Sequence, residues 1–290
     1  MKFSAHLRLP IAIGLTMLVT SCSQPQNQTE APKNEHSKQA SNTASQPTSG
    51  SSTLKVAITG NTPPFAFMDE KGKPQGIDID IIKQIGELEG FDVTFQTQSW
   101  NGMFQQVETG KSDLAVSGIS YSDERNQKYA LSQSYFYNPT SAVYTPKNNI
   151  QSVNDLVGLK IAAVDGGKSL KIAQSAKNAT VLQETTPYLL LQKIARKEAD
   201  VAIYDQPVWT YMVKNHPEYQ LKVTPLESAN EPSTQTVILM KQGNTELQSK
   251  INDGLTKLKQ QGKLTDIEKK WMGSTEGTTT ATASVTGKVS

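Results

Sequence analysis

Two rhythms of apolar residues alternate along this chain. "LKVAI" (54–58) and "FDVTFQT" (91–97) have the dense β-branched and aromatic content of strands. Between them, "GIDIDIIKQIGELEG" (76–90) places Ile77, Ile81, Ile85 and Leu88 at helical spacing, and Gly90 is positioned to close the helix. "WNGMFQQVETG" predicts a second, short helix, and "DLAVSG" the next strand. Further on, "LKIAAV" (159–164) and "DVAIYD" (200–205) predict strands. "TPYLLLQKIARKEA" predicts a helix capped by Thr186 with Pro187 in its first turn, and "QPVWTYMVKNH" another ending near His216.

The pattern repeats. "LKVAITG" near residue 54 matches "LKIAAVDG" at 159, and "GKSDLAVSG" near 110 matches "RKEADVAIYD" near 196. Alternating strands and helices imply parallel sheets, in which ligands sit beyond the carboxyl ends of the strands. Two such units facing each other would line one cleft with Thr59 to Thr62, Ser117 to Ser120, Asp165 to Ser169, and Asp205. The stretch "SGISYSDERNQ" (117–127) adds a helix start after a strand exit, with Arg125 almost at once.

The ends differ from this core. Lys2, Arg8 and the apolar run "IAIGLTMLV" have the layout of a secretory signal, too short to span a bilayer. The run stops at "VTSC", where Val19, Thr20, Ser21 and Cys22 resemble the lipobox of bacterial lipoproteins. That resemblance implies cleavage after residue 21 and lipidation of Cys22. "SQPQNQTEAPKNEHSKQASNTASQPTSGSS" holds no Val, Ile, Leu, Phe, Tyr or Trp, so 22–52 is expected to be the lipidated cysteine and a disordered tether. Residues 274–290 are expected to form a disordered tail. The chain has 29 Lys+Arg and 27 Asp+Glu, and loss of Lys2 and Arg8 leaves 29 − 2 = 27 against 27. A neutral chain without a basic block is a poor match to nucleic acid.

Residue types also exclude chemistry. With 1 Cys the chain can form no internal disulfide, and of its 3 His only His216 falls in the fold. Zinc sites of the usual ligand kinds and Cys–His pairs are therefore excluded, and no cofactor or metal is expected. "DGGKS" (165–169) lacks the glycine spacing of a phosphate loop. What remains suits a zwitterion: Arg125 as a bidentate partner for a carboxylate, and Asp205 at the opposite strand exit for an ammonium. By spacing alone an arginine at 125 is more often exposed on a helix, and an aspartate at 205 before Pro207 is as readily a helix cap. Trp100 as lobe core and Lys168 as a solvated loop lysine remain open too.

"GNTPPFAFMDEKGKPQGIDIDIIKQI", "SWNGMFQQVETGKSDLAVSGISYSDERNQKYALSQSYFY" and "LKQQGKLTDIEKKWMG" resemble the extracytoplasmic solute-binding proteins of polar amino-acid ABC transporters, over essentially all of 53–273. The resemblance implies an α/β, two-lobed periplasmic-binding-protein (Venus flytrap) fold, each lobe a central sheet flanked by helices, with two hinge strands. Lobe 1 would take 53–140 and 237–273; residues 141–236 would hold the hinge strands and lobe 2, with "TSAVYTP" and "PSTQTVI" crossing. By the same resemblance Arg125 and Ser120 clamp the α-carboxylate, aided by Lys168 and Ser169 through main-chain or hydroxyl hydrogen bonds. Asp205 and the Gly118 carbonyl receive the α-ammonium, Trp100 lies against the side chain, and Ser117 lines the first-lobe wall. Two departures stand out: Thr62 replaces an aromatic of many relatives, and Thr59 and Gly60 replace an acid. They tilt the expectation toward a neutral polar amino acid over a basic one. The implied partners are a free amino acid and an ABC permease, for a monomeric, non-enzymatic protein held outside the cytoplasm through Cys22. The rivals are an exported enzyme of the same fold, cyclohexadienyl dehydratase-like, and a ligand sensor. Such an enzyme needs a general acid, for which Glu184 is a candidate that nothing in the sequence singles out.

Overall fold

The computed structural model describes residues 52–273; the expected signal, lipidated Cys22, tether and tail lie outside the described residues. In chain order the helices are Ile77–Glu89 (α1), Trp100–Glu108 (α2), Asp123–Lys128 (α3) and Lys168–Ser175 (α4). Pro187–Ala195 (α5), Gln206–Asn215 (α6), Thr245–Gln260 (α7) and Lys263–Met272 (α8) follow. The local signals act as expected: Thr186 accepts a hydrogen bond from the Leu189 amide ahead of Pro187, and Gly90 closes α1.

Two five-stranded sheets organise the molecule. The first runs Phe91–Thr97, Ser52–Ile58, Leu114–Ala115, Leu239–Lys241, Tyr129–Leu131. The second runs Thr180–Glu184, Lys160–Val164, Val201–Asp205, Thr140–Tyr144, Lys222–Pro225. In each, three parallel strands are followed by two strands paired antiparallel, so the internal sequence likeness reflects a shared topology. Each sheet and its helices make one lobe of a two-lobed α/β fold.

The chain crosses between the lobes twice, and the crossings pair with each other. Gln235 lies opposite Tyr137 and Thr236 opposite Phe136, antiparallel. The sequence places the first crossing strand at "TSAVYTP", but Thr140–Tyr144 is an inner strand of the second sheet. All five of its residues are buried, as a strand covered on both faces must be. The hinge pair therefore falls a few residues earlier, at Phe136–Tyr137. The predicted strand "DLAVSG" is shorter than expected, because the chain leaves the sheet after Ala115.

In the first lobe, Ile77, Ile79, Ile81, Ile82 and Ile85 of α1 are all buried. α7 approaches α1 so closely that a Cβ on Gly254 would lie 2.6 Å from Ile85 Cγ2. In the second lobe Trp209 of α6 is fully buried. The lobes also touch away from the strand exits. The Phe67 ring lies 5.9 Å from Tyr211 of α6 and 5.6 Å from Trp271 of α8, centroid to centroid.

The contact between Ile85 and Gly254 gives a sign-changing test. Ile85→Ala should cost about 2–5 kcal/mol by opening a cavity. Gly254→Ala should cost roughly 1–3 kcal/mol in the wild type through overpacking. In the Ile85→Ala background the clash is gone and the helix preference for alanine, up to about 1 kcal/mol, should make Gly254→Ala neutral or stabilising. Urea unfolding of the four proteins measures this, and additive losses would show that the helices do not meet there.

Candidate functional site

The parallel strands of both sheets point their carboxyl ends at one pocket. Trp100, Gly118, Ser120 and Arg125 line it from the first lobe; Val164, Gly167, Lys168, Ser169, Tyr204 and Asp205 line it from the second. The lobes lie close, leaving about 20 Å³ between these walls. Trp100 reaches across, its indole Nε1 donating to the Gly166 carbonyl at 3.3 Å. Gly166 has φ 75°, and a Cβ there would sit 2.7 Å from Asn101 Oδ1, so this crossing needs glycine.

Arg125 is held by its own turn. The Ser122 hydroxyl caps α3 by accepting from the Arg125 amide at 3.2 Å. The side chain folds back, and Nη1 donates to the Ser120 carbonyl at 2.6 Å. The guanidinium carbon stands 5.7 Å from the Trp100 ring centroid and 5.2 Å from that of Phe104, which orients its plane. Burial pushes the guanidinium below its ordinary pKa, and the Asp205 carboxylate is the first charge to push it back. Among the described residues Arg125 forms no ion pair and its guanidinium makes no second hydrogen bond. Four of the five N–H donors of an arginine thus remain for another partner.

Asp205 sits at the start of α6, yet its side chain makes no capping bond, so it is not there as a helix cap. Its Oδ2 accepts from Asn138 Nδ2 at 2.8 Å. Burial raises its pKa, while the Lys168 charge and then the Asn138 hydrogen bond lower it. Lys168 is not a solvated loop lysine either. Its ammonium donates to the Asn138 carbonyl at 2.9 Å, to Glu227 Oε2 at 3.0 Å and to the Ser233 carbonyl at 2.9 Å. Glu227 also takes the Ser233 hydroxyl and the Thr140 amide, so the Lys168 ammonium is held beside the hinge while Lys168 lines the pocket. The Ser169 hydroxyl is buried without a partner among the described residues.

Thr62 and Ser117 do not line the pocket. Both are buried behind it around Thr59: Thr62 Oγ1 is 2.8 Å from Thr59 Oγ1, and Ser117 Oγ accepts from the Thr59 amide at 2.9 Å. Glu184 stands outside the lining as well, paired with Lys193 at 3.4 Å. His216 is the partly exposed C-cap of α6, beside Glu218.

Two residues escaped the sequence reading. Asn138, at the hinge, gives no local signal that its amide reaches Asp205. Asp78 does give one, since it interrupts the isoleucine face of α1 with an acid. Its Oδ2 accepts from the Gly118 amide at 2.8 Å and its Oδ1 from the Tyr135 hydroxyl at 2.7 Å. Those bonds hold Gly118 at φ 67°, where a Cβ would lie 2.6 Å from the Phe65 ring.

A two-lobed α/β fold with hinge strands and a charged pocket between strand exits defines a ligand-binding protein that closes around its ligand. Residues 54–274 match the model of the bacterial extracellular solute-binding proteins, family 3, and the chain belongs to that family. A probable amino-acid ABC transporter-binding protein of Haemophilus influenzae is 30% identical over 76% of this chain and 85% of its own. The amino-acid-binding protein AabA of Dichelobacter nodosus is 27% identical over 72% and 83%. An ancestral arginine-binding protein solved with bound arginine matches with TM-score 0.70 at 30% identity, over 76% of this chain and 98% of that one. Its structure with glutamine matches at 0.68 and 30% identity, over 77% and 98%.

Burial pushes the Asp78 carboxyl from 3.8 up to about 6. The folded state then keeps a proton that the unfolded chain has released between 3.8 and about 6, so stability should fall as pH rises through that window. Asp78→Asn keeps an acceptor for Gly118 and a partner for Tyr135 but has no proton to lose. Its melting temperature should therefore fall less between those pH values than that of the wild type. Calorimetric scans across the window measure the difference, and equal slopes would show that Asp78 is not the titrating group.

Proposed function

We propose that this protein binds one free L-amino acid between its lobes and presents it to an ABC permease. One observation carries the reading: Arg125 and Asp205 stand on opposite lobes of one pocket, desolvated, within each other's field and not paired with each other. An α-carboxylate on Arg125 and an α-ammonium on Asp205 would complete both and draw the lobes together. Ser120 and the start of α4, with the main chain of Lys168 and the free hydroxyl of Ser169, would add to the carboxylate end. The Gly118 carbonyl would assist at the ammonium end, and Trp100 would cover the ligand. Thr62 and Ser117 support the first-lobe wall from behind. The names of the relatives point to the same class of ligand.

Among the described residues Asp205 is the only carboxylate in the pocket lining, and the ammonium would use it. A basic side chain would find no second acid there, which supports a neutral polar amino acid. The relatives named as binding proteins support a carrier without catalytic chemistry of its own, and Glu184 lies outside the pocket lining. The protein acts as a monomer outside the cytoplasm, held to the membrane through lipid on Cys22. Among the described residues no helix is long and apolar enough to cross a membrane, which is compatible with such an anchor.

Native mass spectrometry of the purified protein identifies the ligand, and calorimetry then tests the poles. Arg125→Ala should weaken binding by about 2–5 kcal/mol, because it leaves a buried carboxylate unpaired. Arg125→Lys should do nearly as badly, since a point charge cannot reproduce the fork. The α-carboxamide of the same ligand should bind the wild type poorly and lose little more on Arg125→Ala. Additive losses would mean that Arg125 and the carboxylate never meet.

The anchor has its own test. Cys22→Ser should move the protein from the membrane fraction to the soluble fraction, or leave it unprocessed. Unchanged detergent-phase partitioning would rule out lipid on Cys22.

A further inference from the structure

Asn138 stands where the hinge meets the pocket, and it is fully buried. Its main chain ties the crossing segments together: the amide donates to the Thr234 carbonyl at 2.7 Å, and the carbonyl accepts from Lys168 Nζ at 2.9 Å. Its side chain turns to the pocket. Nδ2 donates to Asp205 Oδ2 of the second lobe at 2.8 Å and to the Gly118 carbonyl of the first at 3.3 Å. Both hydrogens of one amide nitrogen thus serve the two acceptors that the amino-acid reading gives to the α-ammonium. A buried carboxylate left with two free oxygens can rotate and can take up a proton, and either would remove the ammonium's partner. A neutral donor on one oxygen prevents both without adding a competing positive charge.

We infer that Asn138 is the positioning residue of the ammonium site: it fixes the Asp205 carboxylate by one oxygen, leaves the other for the ligand, and holds the Gly118 carbonyl in the same sphere. This rests on the amino-acid reading above. The role differs from that of a hinge spacer, because a spacer would affect every ligand alike. Burial raises the Asp205 pKa and Glu227 adds to that, while the Lys168 charge, then the Asn138 bond, then Arg125 lower it, so loss of the bond should raise it further. Loss of a hydrogen bond to a charged group typically corresponds to roughly tenfold or more in an equilibrium constant.

The experiment has two arms. In the first, wild type, Asn138→Ala and Asn138→Ser are dialysed against an equimolar mixture of the standard L-amino acids, and separately against the matching α-hydroxy acids. Retained compounds are quantified by mass spectrometry. Asn138→Ala should lose roughly tenfold or more in retention of the amino acid and only a few-fold in that of the hydroxy acid, with Asn138→Ser between. Equal losses on both ligand types would overturn the inference and leave a hinge role. In the second arm, carbon NMR of aspartate-labelled, ligand-free protein follows the Asp205 carboxyl, assigned from the Asp205→Asn spectrum. Its apparent pKa should be higher in both variants than in the wild type, and an unchanged titration would overturn the inference. Should the wild type retain no amino acid, the reading of the ligand falls. The NMR titration then decides whether Asn138 controls Asp205. Asn138→Ser, which keeps a small donor, serves if Asn138→Ala does not fold.

Discussion

A charge taken out of water must find a partner, and most of the architecture around the pocket follows from that constraint. Arg125 and Asp205 are both desolvated, on different lobes, and neither satisfies the other. A protein with one such group would relieve it by changing protonation or exposing it. Here the surrounding groups hold both in place. Ser120 and two aromatic rings grip the guanidinium, and Asn138 grips the carboxylate. Each pole is left partly unsatisfied, which is the condition for binding a molecule of opposite poles.

The same constraint shapes the layer behind. Asp78 is a buried acid whose two partners are the Gly118 amide and the Tyr135 hydroxyl, so it holds the loop that carries Gly118 and Ser120. Lys168 and Glu227 form a largely buried pair whose hydrogen bonds reach Asn138 and Ser233 of the crossing segments and Thr140 at the start of the adjoining strand. The start of α4 is therefore tied to the crossing segments while it also lines the pocket.

Much of this was legible in the sequence, for reasons that particular residues make plain. The α1 helix was readable because Ile77, Ile81 and Ile85 recur with the helical period and Gly90 ends it. Thr186 and Pro187 marked α5, and the repeated "D-apolar-A-apolar" marked equivalent strands. Arg125 and Asp205 stood out because each lies at a strand exit, although spacing alone left a surface arginine and a helix cap open; the structure puts both in one pocket lining. The direction of a side chain was not readable. Lys168 turns to the hinge, Thr62 and Ser117 turn behind the wall, and Asn138 turns to Asp205; each depends on partners distant in sequence. The first crossing strand was misplaced because "TSAVY" has the composition of any strand. Only its pairing on both sides shows that it lies inside a sheet.

The Trp100–Gly166 hydrogen bond and the Phe67–Tyr211 contact join the lobes without any atom of a ligand. Whatever free energy they contribute comes from the protein alone and would favour the arrangement in which the lobes meet. The fraction already shut would not have to be made by the ligand, so apparent affinity rises. The same fraction would also offer a transporter the outline of a loaded carrier with nothing inside. Strengthening these contacts would therefore trade fidelity of delivery for tightness of capture.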